Sequence, residues 1–163
     1  MTWLTRRRER NDAARQAIVA ELRRPQETTG NHLIGERKSA ARASLLGSDL
    51  HGADLRFADL RHCDLRRADL SSALFDGADL SWARLSGANL EAAVFGRALL
   101  VETVMDGANL AHADLSQATG LTWASVRGAT RSTSTKWPTG FSPARPVVAG
   151  PLIHTGPRPP PRR

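Results

Sequence analysis

Five histidines, His32, His51, His62, His112 and His154, and one cysteine, Cys63, are the residues best suited to metal or nucleophilic chemistry. No histidine pair has the spacing of a helical zinc motif. A single cysteine excludes an intramolecular disulfide and a cysteine-rich metal site, and a reducing compartment is the simpler expectation. His62 beside Cys63 invites a metal reading, and His112-Ala113-Asp114 suggests a dyad. No phosphate loop, dinucleotide fingerprint or G-x-S-x-G elbow occurs. These residues nominate no nucleophile, base or metal ligand. The expectation is a non-enzyme without a cofactor. The aspartates Asp49, Asp59, Asp69 and Asp79 have a different potential, since a regular array of carboxylates makes an anionic surface. Whether they form one depends on the element that carries them.

That element is a repeat. In fives from Ala43 the chain runs ASLLG, SDLHG, ADLRF, ADLRH, CDLRR, ADLSS, ALFDG, ADLSW, ARLSG, ANLEA, AVFGR, ALLVE, TVMDG, ANLAH and ADLSQ, without a slip. The third place is always large and apolar: Leu45, Leu50, Leu55, Leu60, Leu65, Leu70, Phe75, Leu80, Leu85, Leu90, Phe95, Leu100, Met105, Leu110 and Leu115. The first place is always small, with Ser48, Cys63 and Thr103 where the others have Ala. A period of five matches neither the 3.6 of a helix nor the alternation of a strand, so ordinary amphipathic elements cannot bury it. A chain turning a corner every five residues buries the first and third places and leaves the others to solvent or the corner. Such self-similarity marks a solenoid whose units bury their apolar faces against their neighbours. At about 1.5–3 kcal/mol each, fifteen buried side chains give an upper-bound gross term of a few tens of kcal/mol.

The stretch resembles the pentapeptide-repeat proteins, whose motif is A-[DN]-L-x-x. The resemblance implies an all-β solenoid, a right-handed quadrilateral parallel β-helix of about four coils, with an N-terminal helix and a largely irregular C-terminal tail on this chain. Four pentapeptides per coil place residues 20 apart above one another. Asp49 then stacks with Asp69, Asp59 with Asp79, Leu74 on Asp54 and Val94 on Leu74. In this arrangement Cys63 is a small core thiol and His62 lies at the preceding corner, so the two face different ways. Some family members resemble duplex DNA, bind DNA gyrase and protect it from quinolone-type inhibitors. Here Asn89, Asn109, Leu99, Arg84 and Val104 interrupt the acid columns, and Asp or Asn at the second place belongs to the motif and satisfies backbone groups at the corner.

Charge divides the chain further. Residues 1–42 carry ten Lys/Arg against five acids, residues 43–118 six against eleven, and residues 119–163 seven against none. Basic ends on an acidic centre point to an anionic partner, or to tails that fold back or keep the chain soluble. Residues 1–42 are expected to form a basic N-terminal helix and cap. The helix runs over Thr5–Arg24, ends before Pro25, and is followed by a short helical stretch between Asn31 and Arg42. Residues 43–118 are the β-helix. Residues 119–142 are expected to fold back as a C-terminal cap on the outward apolar positions Leu74, Val94, Leu99, Val101 and Val104, using Trp123, Trp137 and Phe141. The rival use of that patch is a homodimer or partner interface. Residues 143–163, rich in Pro and Arg, are expected to be disordered. No run has the roughly 18 apolar residues of a spanning helix, so no membrane span is expected, and the location is expected to be cytoplasmic.

The functional expectation is a non-catalytic protein-interaction or scaffold module. Arg56, Arg61, Arg66, Arg67 and Arg97, with exposed Phe57 and Trp82, are its candidate contacts for another macromolecule, a protein first. The alternatives are a DNA-mimic modulator of DNA gyrase and nucleic-acid binding through the basic tails.

Overall fold

In the computed structural model residues 3–24, 28–29, 32–33 and 38–141 are described, with side chains over 12–24 and 38–141. The expected disorder of 143–163 lies outside these residues. A helix, α1 (Trp3–Arg23), precedes a two-residue antiparallel pair, β1 (Thr28–Thr29) and β2 (His32–Leu33), and then a β-solenoid. The solenoid's ladder consists of single parallel bridges between second-place residues 20 apart, such as Asp49↔Asp69, Asp54↔Leu74, Asp59↔Asp79 and Asp64↔Arg84. Four successive bridges complete one circuit, so each coil has four faces.

Each pentapeptide bonds to the coils on either side and across its own turn. The third-place N–H donates to the second-place carbonyl one coil on, as Leu45 N does to Asp64 O at 2.8 Å. The second-place N–H donates one coil back, as Asp64 N does to Ala43 O at 2.9 Å. Within the turn, the next first-place N–H returns to the third-place carbonyl, as Ser48 N does to Leu45 O at 3.1 Å. Most backbone groups that water would otherwise have to satisfy are thus paired along the coil. The fifth place turns the corner with a positive φ, at 63° for Gly47 but also 59° for Phe57 and 64° for Trp82. A left-handed residue with a side chain costs about 1–2 kcal/mol, so stacking between coils must offset that cost at each non-glycine corner.

All fifteen third-place side chains are buried, and Phe75 stacks on Phe95 with centroids 5.0 Å apart. The polar first-place residues follow one rule. Cys63 Sγ donates to Ala40 O at 2.6 Å and Thr103 Oγ1 to Leu80 O at 2.9 Å, each 23 residues back. The corresponding acceptor for Ser48 would be residue 25, outside the described residues, and Ser48 Oγ is buried with no partner among those described.

At the N-terminal end the ladder starts with Ser39↔Asp59, one pentapeptide before Ala43. Lys38-Ser39-Ala40-Ala41-Arg42 has coil geometry, with Arg42 at φ 62°. The helix expected between Asn31 and Arg42 is therefore absent from the described residues. Thr28 and Thr29 are β-branched, and Gly30-Asn31 favours a hairpin connection over a helix. In this first pentapeptide Lys38 occupies the small place and Ala40 the large one. The buried Leu22 of α1 joins the core here, with Ile18 and Val19 packed beside it. Lys38 Nζ donates to Leu22 O and Asp54 O, both at 2.7 Å, and to Arg24 O. An ammonium on the last carbonyls of a helix satisfies orphan acceptors and complements the helix dipole. Burial pushes the Lys38 pKa below its ordinary value, against the opposing pull of Asp54 and Glu21. Arg23 reaches Asp49 Oδ2 at 2.9 Å and Arg15 reaches Leu46 O at 3.1 Å, completing the clasp.

At the C-terminal end the expected fold-back onto the outward apolar positions does not occur. The chain keeps winding instead. Bridge offsets lengthen from 20 at Leu99↔Thr119 to 21 at Asn109↔Thr130 and 22 at Asp114↔Lys136, so two single-residue insertions hide a further circuit. Val126, Ala129 and Thr135 are buried in it, and Thr135 Oγ1 donates to Leu110 O at 2.8 Å. Trp123, Phe141 and Trp137 form a stacked row with centroids 5.1 and 5.4 Å apart, and Phe141 and Trp137 pack on the core. Leu74, Val94, Leu99, Val101 and Val104 stay exposed.

Candidate interaction surface

The outward carboxylates are first of all turn residues. At the second place, Asp49, Asp54, Asp59, Asp64, Asp69, Asp79 and Asp114 each accept the backbone N–H two residues on, at 2.9–3.3 Å. Asn89 and Asn109 do the same with Glu91 and Ala111. This is the local Asx bond that makes Asp and Asn turn formers. An Asp at this place is thus required whether or not its charge is used.

Three of these carboxylates are also clamped. Arg56 binds Asp54 through Nε at 2.9 Å and Nη2 at 2.8 Å, Arg61 binds Asp59 at 2.9 and 2.8 Å, and Arg66 binds Asp64 at 2.7 and 2.6 Å. Two-point pairing of this kind fixes both partners. The guanidiniums of Arg56 and Arg66 hold the Asp54 and Asp64 carboxyls below their usual range. Arg97 clamps Asp76 across the coils at 3.2 and 2.9 Å, and its backbone N–H donates to the same carboxylate. Gly96 makes this possible, because a Cβ there would run into the Asp76 carboxylate. Asp114 is lowered to about 2 by the Ser116 hydroxyl and then Lys136. Four of the five candidate arginines therefore have resident carboxylates. Arg67 is exposed at its corner.

The aromatic contacts divide similarly. Phe57 is half-buried rather than exposed, because its ring lies over Gly77, where a Cβ would come within 2.7 Å of it. Trp82 is 52% exposed and stacks on His62 with centroids 6.0 Å apart. His62 thus faces the corner while Cys63 is buried, its thiol pushed up to about 11 by burial. No group of acids, histidines and cysteine suited to a metal occurs among the described residues. The acid columns thin upward: Asp69 bridges Asn89 and then Asn109, while Asp79 bridges Leu99 and Arg84 bridges Val104.

Sequence reasoning missed Lys38, which in hindsight has its own signal, a frame-matched pentapeptide with Lys at the small place. It read Arg84, the one cation at a second place within the fifteen repeats, as an interruption of the acid columns and not as a contact residue.

A family model for pentapeptide repeats matches residues 39–67, 53–91 and 83–119. The chain belongs to the pentapeptide-repeat family. The match begins at Ser39, where the ladder begins. Among solved structures, a pentapeptide repeat protein from the cyanobacterium Cyanothece 51142 is 28% identical at a TM-score of 0.56, covering 67% of this chain and 71% of that one. A pentapeptide repeat protein from Nostoc PCC 7120 is 32% identical at a TM-score of 0.36, covering 65% and 78%. QnrB1, a plasmid-mediated fluoroquinolone resistance protein, is 22% identical at a TM-score of 0.31, covering 54% and 47%. No curated protein gives a significant match. Pentapeptide-repeat proteins are generally structural or interaction modules. No helix among the described residues is long and apolar enough to cross a membrane.

Proposed function

We propose that this chain is a non-catalytic interaction module, a right-handed solenoid whose outward places present a stiff surface to a protein partner. The observation that carries the proposal is the row of apolar side chains at outward places that the fold does not use. Leu74 and Val94, 37% and 39% exposed, replace the turn-forming Asp on one face, next to the corner held by Phe57, Arg56 and Arg97. Exposed apolar groups on a rigid, mostly polar surface mark contact sites. Two of the clamped arginines, Arg56 and Arg97, border this face in pairs with Asp54 and Asp76, which favours a protein partner over a polyanion. The single buried thiol suits a reducing, cytoplasmic location.

The test is capture from the native host with the full chain and with Leu74→Asp/Val94→Asp. A partner that binds the purified chain and loses at least tenfold in affinity on that change supports the reading. If every captured protein binds both forms equally, the reading fails. The gyrase alternative draws on the family; a supercoiling assay with and without a quinolone tests it. The paired state of the Asp54, Asp59, Asp64 and Asp76 carboxylates weighs against a DNA-like surface, and the basic ends remain candidates for an anionic partner.

A further inference from the structure

Between the Asp59–Asp79–Leu99 column and the Asp64–Arg84–Val104 column runs one corner of the solenoid, built level by level from Arg61-His62, Ser81-Trp82 and Val101-Glu102. Residues 120–124 continue it, since Thr119 bridges Leu99 and Met105 N donates to Ser125 O at 2.8 Å. Trp82, Leu99, Val101, Val104 and Trp123, all 43–52% exposed, therefore meet along a single edge. Side chains at three sequence-distant repeats are brought together only by the 20-residue register.

We propose that this edge is a self-association surface that pairs two copies of the chain side by side about a two-fold axis parallel to the solenoid. The charges choose this occupant. Such an axis sets the column on one side of the corner opposite the column on the other side, at equal height. Asp79 of one copy then faces Arg84 of the second, and Leu99 faces Val104, each contact occurring twice. Both charges are underused within one chain. Asp79 accepts Ser81 N at 2.9 Å and has only a loose cation, Arg61 Nε at 3.8 Å. Arg84 has no ion pair within 4 Å among the described residues and acts on Asp64, the carboxylate held by Arg66 beneath it, only at longer range. One level lower, Asp59 and Asp64 are neutralised by their own arginines, so nothing there opposes the approach. Trp82 lies near the axis, where a buried aromatic anchor contributes most. Glu102, the one charge at the apolar level, stands 20 residues on from Trp82 at the same corner and is exposed, so the two copies of this carboxylate also lie beside the axis and oppose the contact there. This inference holds whether or not the Leu74 face binds a partner.

Sedimentation equilibrium of the full chain, from about 1 to 100 µM, tests it. The expected result is a reversible dimer of twice the chain mass. Asp79→Arg and Arg84→Asp are each expected to raise the dimer Kd at least tenfold, by setting like charges opposite one another. An equimolar mixture of the two variants is expected to restore the dimer, because each then supplies the charge the other needs. That rescue also shows that both variants fold. A wild type that remains monomeric at 100 µM overturns the proposal. A dimer indifferent to both substitutions, or a mixture without rescue, overturns it as well.

Discussion

Lys38→Met is the sharpest perturbation of the way this solenoid is started. The lysine is 8% exposed, and its ammonium holds two carbonyls from the end of α1 together with Asp54 O. In later coils the equivalent carbonyl accepts a backbone N–H from the coil beneath, as Asp64 O accepts Leu45 N. Methionine keeps the apolar stem but leaves three acceptors without a donor. A buried acceptor left unmade costs about 1–3 kcal/mol. Removing the ammonium's own desolvation cost and gaining an apolar tip offset part of this, so a net loss of about 2–4 kcal/mol is expected. It should fall on the docking of α1: urea unfolding followed by circular dichroism at 222 nm should show a helical loss ahead of the main transition, with amide exchange in α1 accelerated about 30-fold or more. pH supplies a second handle. The folded pKa of Lys38 is depressed, so between that value and the unfolded 10.5 the unfolded chain binds more protons. Wild-type stability must therefore rise relative to Lys38→Met as pH climbs through that window. Unchanged α1 exchange in the variant, or a stability difference that shrinks over that window, would refute the reasoning.

Two further outcomes follow from the coil geometry. Gly77 and Gly47 have nearly the same φ, 68° and 63°, but a Cβ at Gly77 meets the Phe57 ring at 2.7 Å while one at Gly47 meets nothing within 4 Å. Gly47→Ala should therefore lose about 1 kcal/mol in thermal or urea unfolding and Gly77→Ala roughly 2–4 kcal/mol, the excess coming from overpacking; equal losses would contradict the contact. Cys63, buried with its pKa near 11, should resist Ellman's reagent at pH 8 in the native chain and react at once in urea; prompt labelling of the folded chain would show that the first-place column is open.

The coil was legible in the sequence because its determinants are local and strictly periodic. A small residue, a large apolar residue and a corner recur every five positions, and the 20-residue register then fixes which outward residues stack, as with Leu74 between Asp54 and Val94. The ends were less legible because there the period is broken by insertions and substitutions. At residues 119–136 spacings of six hide a circuit that the frame of five cannot detect, and at residues 38–42 Lys and Ala exchange the usual small and large volumes. The candidate site was legible only as positions. That Arg56, Arg61 and Arg66 turn back onto Asp54, Asp59 and Asp64 depends on side-chain direction at the corner, which residue spacing does not encode.

The turn bond changes what an acidic solenoid surface means. If Asp or Asn at the second place is needed to hold the N–H two residues on, its presence says little about a partner, and its absence says more. Within the fifteen pentapeptides the second place departs from Asp or Asn at Ser44, Leu74, Arg84, Val94, Leu99 and Val104. The apolar replacements forgo a bond worth about 0.5–1.5 kcal/mol each. They are not scattered: the Asp49–Asp69–Asn89–Asn109 column is intact, whereas the other three columns carry every departure, and five of the six fall between Leu74 and Val104. Three adjacent faces in the middle and upper coils have given up turn stabilisation for apolar or cationic surface. Nothing within the described chain covers that surface, since Leu74, Val94, Leu99 and Val104 are all exposed. The contacts proposed above, with a second copy at the Trp82 edge and with a protein partner at the Leu74 face, would give those exchanges a compensating gain.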